Sequence, residues 1–588
     1  MGYAVVLSLV FLCHEVFTVS SSILPHLSHK HQIISLIKFK QSLTINTSAS
    51  FSYNCENPYP KMSSWNMSRD CCSWDGVVCD NMTGNVIELN LSCSGIVGKI
   101  DSNSNLFQLS HLQRLDLSYN HFSKSHISPE FCRFSNLTHF DLSLAGFSGQ
   151  IPSEISHLSK LHSLRLYGCP CVRLVAHDFK LLLQNLTQLR ELDLSNINIS
   201  STIPLNFSSR LTTLRLIDTG LYGIIPESIF HLPNLETLYL SFNDLRGYFP
   251  KTKWNNSTSL VELDLLGVNF SDSFPESIGY LTSVPSLSLQ SCNLRGPIPE
   301  SISNLTRIDY LHLQDNSLNG TIPSGVFSLP SLRFLLLGGN HFSGHLEDFK
   351  SNSLIWFYLG DNQLQGYLPK SIQNLVNLTS LDLPFNNFSG RVDVSLFSNL
   401  KRFSDLTLSN NKISLTNENR VTLPESLQTL QLAACEVKEL EFLRSAKQLE
   451  VLDLSNNKIQ GRIPDWAWSN WMFSLKSLSI SHNMLTSVDI IPLQIVYTID
   501  LWSNLLQDKN DTVSGQDGEE SDSEFQSDFW KAAFLGYGSG LCIGLSIIYF
   551  MISTGNPKWL ARIIVELEHK IIMGRRKKQR RQRNYRRR

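Results

Sequence analysis

One pattern decides what this chain can become: L-x-x-L-x-L-x-x-N-x-L-x-G-x-I-P, recurring from Val86 to about Leu506. One copy is plain at Ile308, Leu311, Leu313, Asn316, Leu318, Gly320, Ile322 and Pro323. The asparagine position returns at Asn120, Asn243, Asn316, Asn340, Asn362, Asn386, Asn411, Asn457, Asn483 and Asn504. Cys169, Thr219, Cys292 or Cys435 take that position in other copies. About eighteen copies follow one another, mostly 22 to 26 residues apart. The L-x-L core alternates with period two, so it predicts a short strand with leucines on one face. A single copy cannot bury that face, whereas stacked copies build a continuous core and a parallel sheet. The asparagine amide is placed to bond backbone groups that would otherwise be buried without partners. Cysteine or threonine can do part of this. Ile197 and Val268 cannot, so less regular structure is expected around them. The glycine and the Ile-Pro pair fit a tight bend and a second extended segment. The expected fold is therefore a leucine-rich-repeat solenoid of α/β type, with repeats of about 24 residues and a parallel sheet on the concave side, over residues 85–507.

What flanks the array places it in a compartment. The run AVVLSLVFLC from Ala4 to Cys13, followed by Ser20–Ser22, has the pattern of a secretory signal over residues 1–22, although its start carries no Lys or Arg. Sixteen Asn-x-Ser/Thr sites, among them Asn66, Asn136, Asn185, Asn256, Asn304, Asn377 and Asn387, all precede the C-terminal apolar segment. That one-sided density suits a glycosylated outer surface. Of twelve cysteines, Cys55, Cys71, Cys72 and Cys79 cluster before the repeats, and in an oxidising compartment they read as two disulfides rather than a zinc site. Ile33, Ile34, Leu36, Ile37 and Phe39 recur at helical spacing and predict a capping helix inside an N-terminal cap, residues 23–84.

The formal net charge of -1 conceals a segregation. Residues 508–530 form an acidic juxtamembrane linker, and Ala532 to Ser553 carry no charge. That apolar run would extend roughly 33 Å as a helix, enough for a hydrocarbon core of about 30 Å. One transmembrane helix is therefore expected over 531–553, with Trp530, Tyr549 and Trp559 at the interfaces. The tail, 554–588, holds 13 Lys/Arg against Glu566 and Glu568, which places it in the cytoplasm and gives type I topology. Arg575 to Arg588 reads as a stop-transfer anchor that also holds anionic lipid, and not as a nucleic-acid site. Gly536, Gly540 and Gly544 fall on one face of the span, where small residues let a partner helix approach closely.

The segment SWNMSRDCCSWDGVVCD, Ser64 to Asp80, and the glycine-rich span GYGSGLCIGLSIIYF carry a resemblance. With the repeats and basic tail, they resemble the kinase-less leucine-rich-repeat receptor-like proteins of plants, the group of the tomato Cf-type disease-resistance proteins. The resemblance implies an ectodomain on the cell surface that detects a pathogen-derived or endogenous ligand, and a membrane receptor kinase as partner through the span. It also implies pairing of Cys55 with Cys71 and Cys72 with Cys79, with Ser28 where many relatives have a further Cys. Relatives usually carry more repeats and a cysteine-containing C-terminal cap, so the passage from Leu506 into the acidic linker suggests missing C-terminal repeats. That leaves a truncated non-signalling paralogue or decoy, or a developmental receptor-like protein, as alternatives.

Catalysis finds no foothold. The 17 His are scattered, with no H-E-x-x-H, G-x-S-x-G or Walker loop and no cofactor motif. The surface offered to a peptide, protein or glycan ligand is the concave face. Its exposed strand positions carry Tyr310, His312, Phe334, Trp356 and Tyr358, with Gln314 and Asp315 as polar neighbours and Tyr239 and Phe242 further up the array.

Overall fold

The structure is a computed structural model that describes residues 30–506, apart from 47–54, 56–57, 124, 252–253, 255–258, 271–272 and 488–496. The chain divides into two compact units, Met1–Gln507 and Asp508–Arg588. The second unit lies wholly outside the described residues, and so do the expected signal, linker, transmembrane helix and basic tail. Among the described residues, no helix is long and apolar enough to cross a membrane.

In the first unit, eighteen three- to five-residue strands, from Val86–Asn90 to Thr498–Asp500, pair in parallel, each with its neighbour along the chain. Register is uniform: Leu287, Leu311, Leu335 and Phe357 stand side by side, as do the middle residues of the other strands. From Leu89 to Leu478 every one of these middle residues is at most 2% exposed. Full burial of such a side chain contributes roughly 2–3 kcal/mol relative to leaving it in water. The last strand breaks the rule, with Ile499 42% exposed. The Ile-Pro pairs start short 3-10 helices on the opposite side, as at Pro299 before Glu300–Asn304 and Pro323 before Ser324–Ser328. A second set of parallel strands, such as Ser317–Gly320 and His341–Gly344, follows the asparagine positions and forms a separate sheet.

The asparagine positions form a ladder. Asn316 Nδ2 donates to the carbonyls of Leu289 (2.9 Å), Leu313 (2.9 Å) and Gln314 (3.0 Å), while its Oδ1 accepts from the amides of Cys292 (2.9 Å) and Leu294 (3.0 Å). Each side chain thus joins its own turn to the one before. Where cysteine replaces it, the thiol keeps one bond to the previous turn and one to its own: Cys292 Sγ lies 3.1 Å from the Leu265 carbonyl and 3.4 Å from that of Gln290, and Cys435 Sγ 3.5 Å from that of Leu408 and 3.6 Å from that of Ala433. The residue before the asparagine turns left-handed, at Asp315 (φ 55°), Asp361 (φ 56°) and even Phe385 (φ 52°). That conformation costs a non-glycine residue roughly 1–2 kcal/mol, and the ladder bonds of the next residue hold it. The irregularity expected at Ile197 and Val268 does not reach the concave sheet. Glu191–Asp193 and Glu262–Asp264 pair in the common register, and both substituted side chains are fully buried.

The cap corrects two expectations. The helix Lys30–Gln41 buries Leu36 and Phe39, but Ile34 faces solvent. The stripe includes Gln32 instead, whose Oε1 accepts from the Val86 amide at 2.7 Å and so satisfies the start of the first repeat strand. Cys72 is bonded to Cys79, whereas Cys55 is bonded to Cys93, not to Cys71. The reason is chain reversal: Leu43–Ile45 pairs antiparallel with Ile96–Gly98, and the Tyr59 amide bonds the Cys93 carbonyl at 3.1 Å. Cap and first repeat are therefore closed by one covalent loop of 38 residues. Cys71 is a buried thiol outside both bonds. Its sulfur lies with those of Cys72 and Cys79 inside 4.8 Å, but two of the three are consumed as a disulfide, so they do not make a thiolate metal set.

Candidate ligand-binding face

On each concave strand the first and third residues point away from the core, so uniform register turns them into two columns. The columns divide into two stretches of different chemistry. From Glu88 to Glu262 arginines stand against four of the carboxylates. Arg114 lies 3.5 Å from Glu88, Arg165 lies 3.5 Å from Asp141 and 3.7 Å from Glu191, and Arg215 lies 3.7 Å from Glu262. Tyr239 donates to Glu262 at 2.7 Å, beneath the Arg215 guanidinium. Burial and this carboxylate push the Tyr239 phenol up to about 12. Asp141 is pushed up to about 6, chiefly by burial, despite Arg165.

The second stretch begins with rings. Tyr310, Phe334 and Trp356 are direct neighbours in the first column, with ring centroids 5.9 and 5.1 Å apart. Tyr358, in the third column, stacks with Trp356 at 6.0 Å and 3°. Trp356 is 41% exposed. His312 is largely buried: its Nδ1 lies 3.1 Å from the Tyr310 hydroxyl and its Nε2 2.8 Å from Gln314 Oε1. Burial lowers the imidazole pKa. A neutral ring that accepts at Nδ1 and donates at Nε2 satisfies both contacts. His312 thus holds Tyr310 in place, while the three first-column rings and Tyr358 make the open surface. The sequence-derived set Tyr310, His312, Phe334, Trp356 and Tyr358 is brought together on three adjacent strands. Tyr239 stands three strands away, among the paired charges.

Beside the rings the turns are bare. Gly338, Gly339 and Gly360 carry no side chain where other repeats do, and a Cβ on Gly360 would come within 3.2 Å of Asp382 Oδ1. Beyond them stand Asp361, Asp382 and Asp405. The Asp382 carboxyl is pushed up to about 6 by burial and then by Asp361, and its Oδ1 is buried without accepting a hydrogen bond. Sequence reading missed these acids and glycines, although aligning repeats by column would have found them.

Other expected sites fall elsewhere. Asn66, Asn304 and Asn387 are exposed, Asn136, Asn185 and Asn377 half-buried, and Asn256 lies outside the described residues. So do Gly536, Gly540 and Gly544. Of the residues in the two concave columns, only Asn90 belongs to a glycosylation sequon.

Comparison with known proteins fits this geometry. The leucine rich repeat N-terminal domain matches residues 29–80, and the leucine rich repeat matches 111–134, 188–209, 284–305 and 448–470. Receptor-like protein Cf-9 of Solanum pimpinellifolium is 52% identical over 281 residues, covering 47% of this chain and 32% of that protein. Receptor-like protein 7 of Arabidopsis thaliana is 35% identical over 553 residues, covering 82% and 55%. The chain thus spans between a third and about half the length of these relatives. Among solved structures, PEPR1 with AtPEP1 matches with a TM-score of 0.62 at 26% identity, covering 80% of this chain and 68% of that one. The Arabidopsis receptor kinase HAESA with the peptide hormone IDA and the co-receptor SERK1 matches with a TM-score of 0.59 at 26% identity, covering 81% and 90%. The capped parallel solenoid matches the fold of non-catalytic leucine-rich-repeat receptor ectodomains. More narrowly, the chain belongs to the plant receptor-like protein family that includes Cf-9.

Proposed function

We propose that this protein is a cell-surface receptor-like protein of plant defence, which binds a pathogen-derived or endogenous ligand on its concave face and signals through a partner receptor kinase. The observation that carries the reading is the in-register block Tyr310–Phe334–Trp356 with Tyr358, Trp356 exposed and the others half-buried, on a sheet face that is clear of sequons around it. Relatives whose structures hold peptide hormones have the same fold, and HAESA takes a co-receptor as well. In this reading residues 531–553 anchor the chain as a single-pass type I protein of the plasma membrane, Gly536, Gly540 and Gly544 meet the kinase's helix, and the basic tail rests on anionic lipid. The test is co-purification of the full chain from plant membranes. A receptor kinase is expected with the native chain and is expected to be lost with Gly540→Leu; recovery unchanged by that substitution would remove the helix contact from the proposal.

One observation favours a second reading, a non-signalling decoy. Ile499 and Leu506 are exposed at the end of the array, where the preceding repeat buries the corresponding Leu478 and Leu485. Retention in the endoplasmic reticulum, or binding without kinase recovery, would favour it.

A further inference from the structure

The two stretches of the concave face differ in how their acids are neutralised. Up to Glu262, arginines stand against four of the carboxylates. From Ser286 to Asp500, no described strand position and no described turn position that follows it carries Lys or Arg, yet Asp315, Asp361, Asp382, Asp405, Asp453 and Asp500 lie there. Arg333, over the Phe334 ring, and Lys476 are held by Asp309 and Glu450. Asp361, Asp382 and Asp405 make no ion pair among the described residues, and Asp382 keeps a buried oxygen that accepts nothing. A folded sheet face that leaves such charge uncompensated favours a partner that supplies the opposite sign. The neighbouring surface narrows the partner's shape. The three rings and Tyr358 offer flat apolar area to a chain laid along them, beside turns that carry no side chain at Gly339 and Gly360.

We propose that the ligand of this face is an extended peptide segment that lies across Tyr310, Phe334 and Trp356 and places an arginine or lysine side chain beside Tyr358, against Asp361 and Asp382. This rests on the receptor reading above and deepens it by naming the class of ligand. A guanidinium or ammonium there has two carboxylates to bond and an aromatic face to lie on, both favourable for a cation. In the stretch from Glu88 to Glu262, by contrast, Arg114, Arg165 and Arg215 already stand against Glu88, Asp141, Glu191 and Glu262.

The test uses the full-length chain in detergent and two fluorescent eleven-residue Gly/Ser probes, identical except for a central arginine or citrulline. The arginine probe is expected to bind saturably, at least tenfold more tightly than the citrulline probe. Asp382→Asn and Asp361→Asn should each weaken the arginine probe at least tenfold and leave the citrulline probe unchanged, while Glu191→Gln in the paired stretch should alter neither. Equal binding of the two probes overturns the proposal, and so does an arginine affinity indifferent to Asp382→Asn. Absence of saturable binding of either probe up to about 1 mM, near -4 kcal/mol, overturns it too. If Trp356→Ala abolishes binding of both probes while the aspartate variants do nothing, the receptor face stands and only its cationic specificity falls.

Discussion

The stretch of sheet before Ser286 and the stretch after it share a backbone, a register and a core, and differ only in what faces outward. In the first, Arg165 stands between Asp141 and Glu191, and Arg215 beside Glu262. In the second, rings replace the arginines and Asp382 is left with a buried, unbonded oxygen. The repeat thus separates two jobs that most folds entangle. Middle leucines and ladder asparagines hold the array together, and the two outward columns are open to change.

Four measurements can break or sharpen that contrast. The largest effect comes from the shared core. Leu335→Ala, in the aromatic stretch, and Leu192→Ala, in the paired one, both remove fully buried side chains and should each cost about 2–5 kcal/mol in chemical unfolding. A much smaller loss at Leu335 would show that the two stretches do not share one core quality. Next is the ladder: Asn316→Leu strands carbonyls and amides on two turns and should cost roughly 2–4 kcal/mol, against a smaller loss for Cys292→Ala, whose thiol makes fewer bonds to the turn before.

The third pair of substitutions should have opposite signs. Arg165→Met leaves Asp141 and Glu191 facing each other and should destabilise by on the order of 1 kcal/mol, since the guanidinium is partly exposed and the pair is screened. Asp382→Asn removes a carboxylate that has no counter-ion and should stabilise the protein at pH 7.5, by on the order of 1 kcal/mol after the same discount. The pH dependence follows. Asp382 and Asp141 both sit at about 6 when folded, above the usual value of 3.8. The folded chain therefore holds their protons more tightly than the unfolded chain, and these two groups lower stability as pH rises from about 4 to about 7. Asp382→Asn should remove part of that slope, and thermal melts at pH 5 and 7.5 read it directly. A steeper slope in the variant would place the buried charge elsewhere. The smallest effect is expected for Lys476→Gln opposite Glu450, which should shift the melt by less than a degree or two, since both side chains are half exposed.

The fold was legible because the leucine period sets strand, face and stacking together. Residues such as Ile308, Leu311, Leu313 and Asn316 encode their own partners one repeat away. The aromatic block was legible for the same reason, since Tyr310, Phe334 and Trp356 occupy one column. Asp382 was not, because its desolvation depends on Tyr358, Gly360 and Asp361 around it, and a carboxylate looks alike in sequence whether wet or dry. Cys93 was missed because it lies inside the first repeat, and only the antiparallel return of Leu43–Ile45 onto Ile96–Gly98 carries Cys55 to it. Ile34 misled because a helix of this length buries one stripe, and the buried polar member, Gln32, carries no apolar signal.

The uniform register has a consequence for heredity. Every ladder asparagine bonds the turn before it through the same atoms, so a whole copy can be gained or lost in recombination and the broken ends will rejoin. The outward columns then slide by one strand spacing, about 4.8 Å, and residues that had never met become neighbours. A chain of this kind explores new surfaces by exchanging paragraphs of itself, while its grammar stays intact.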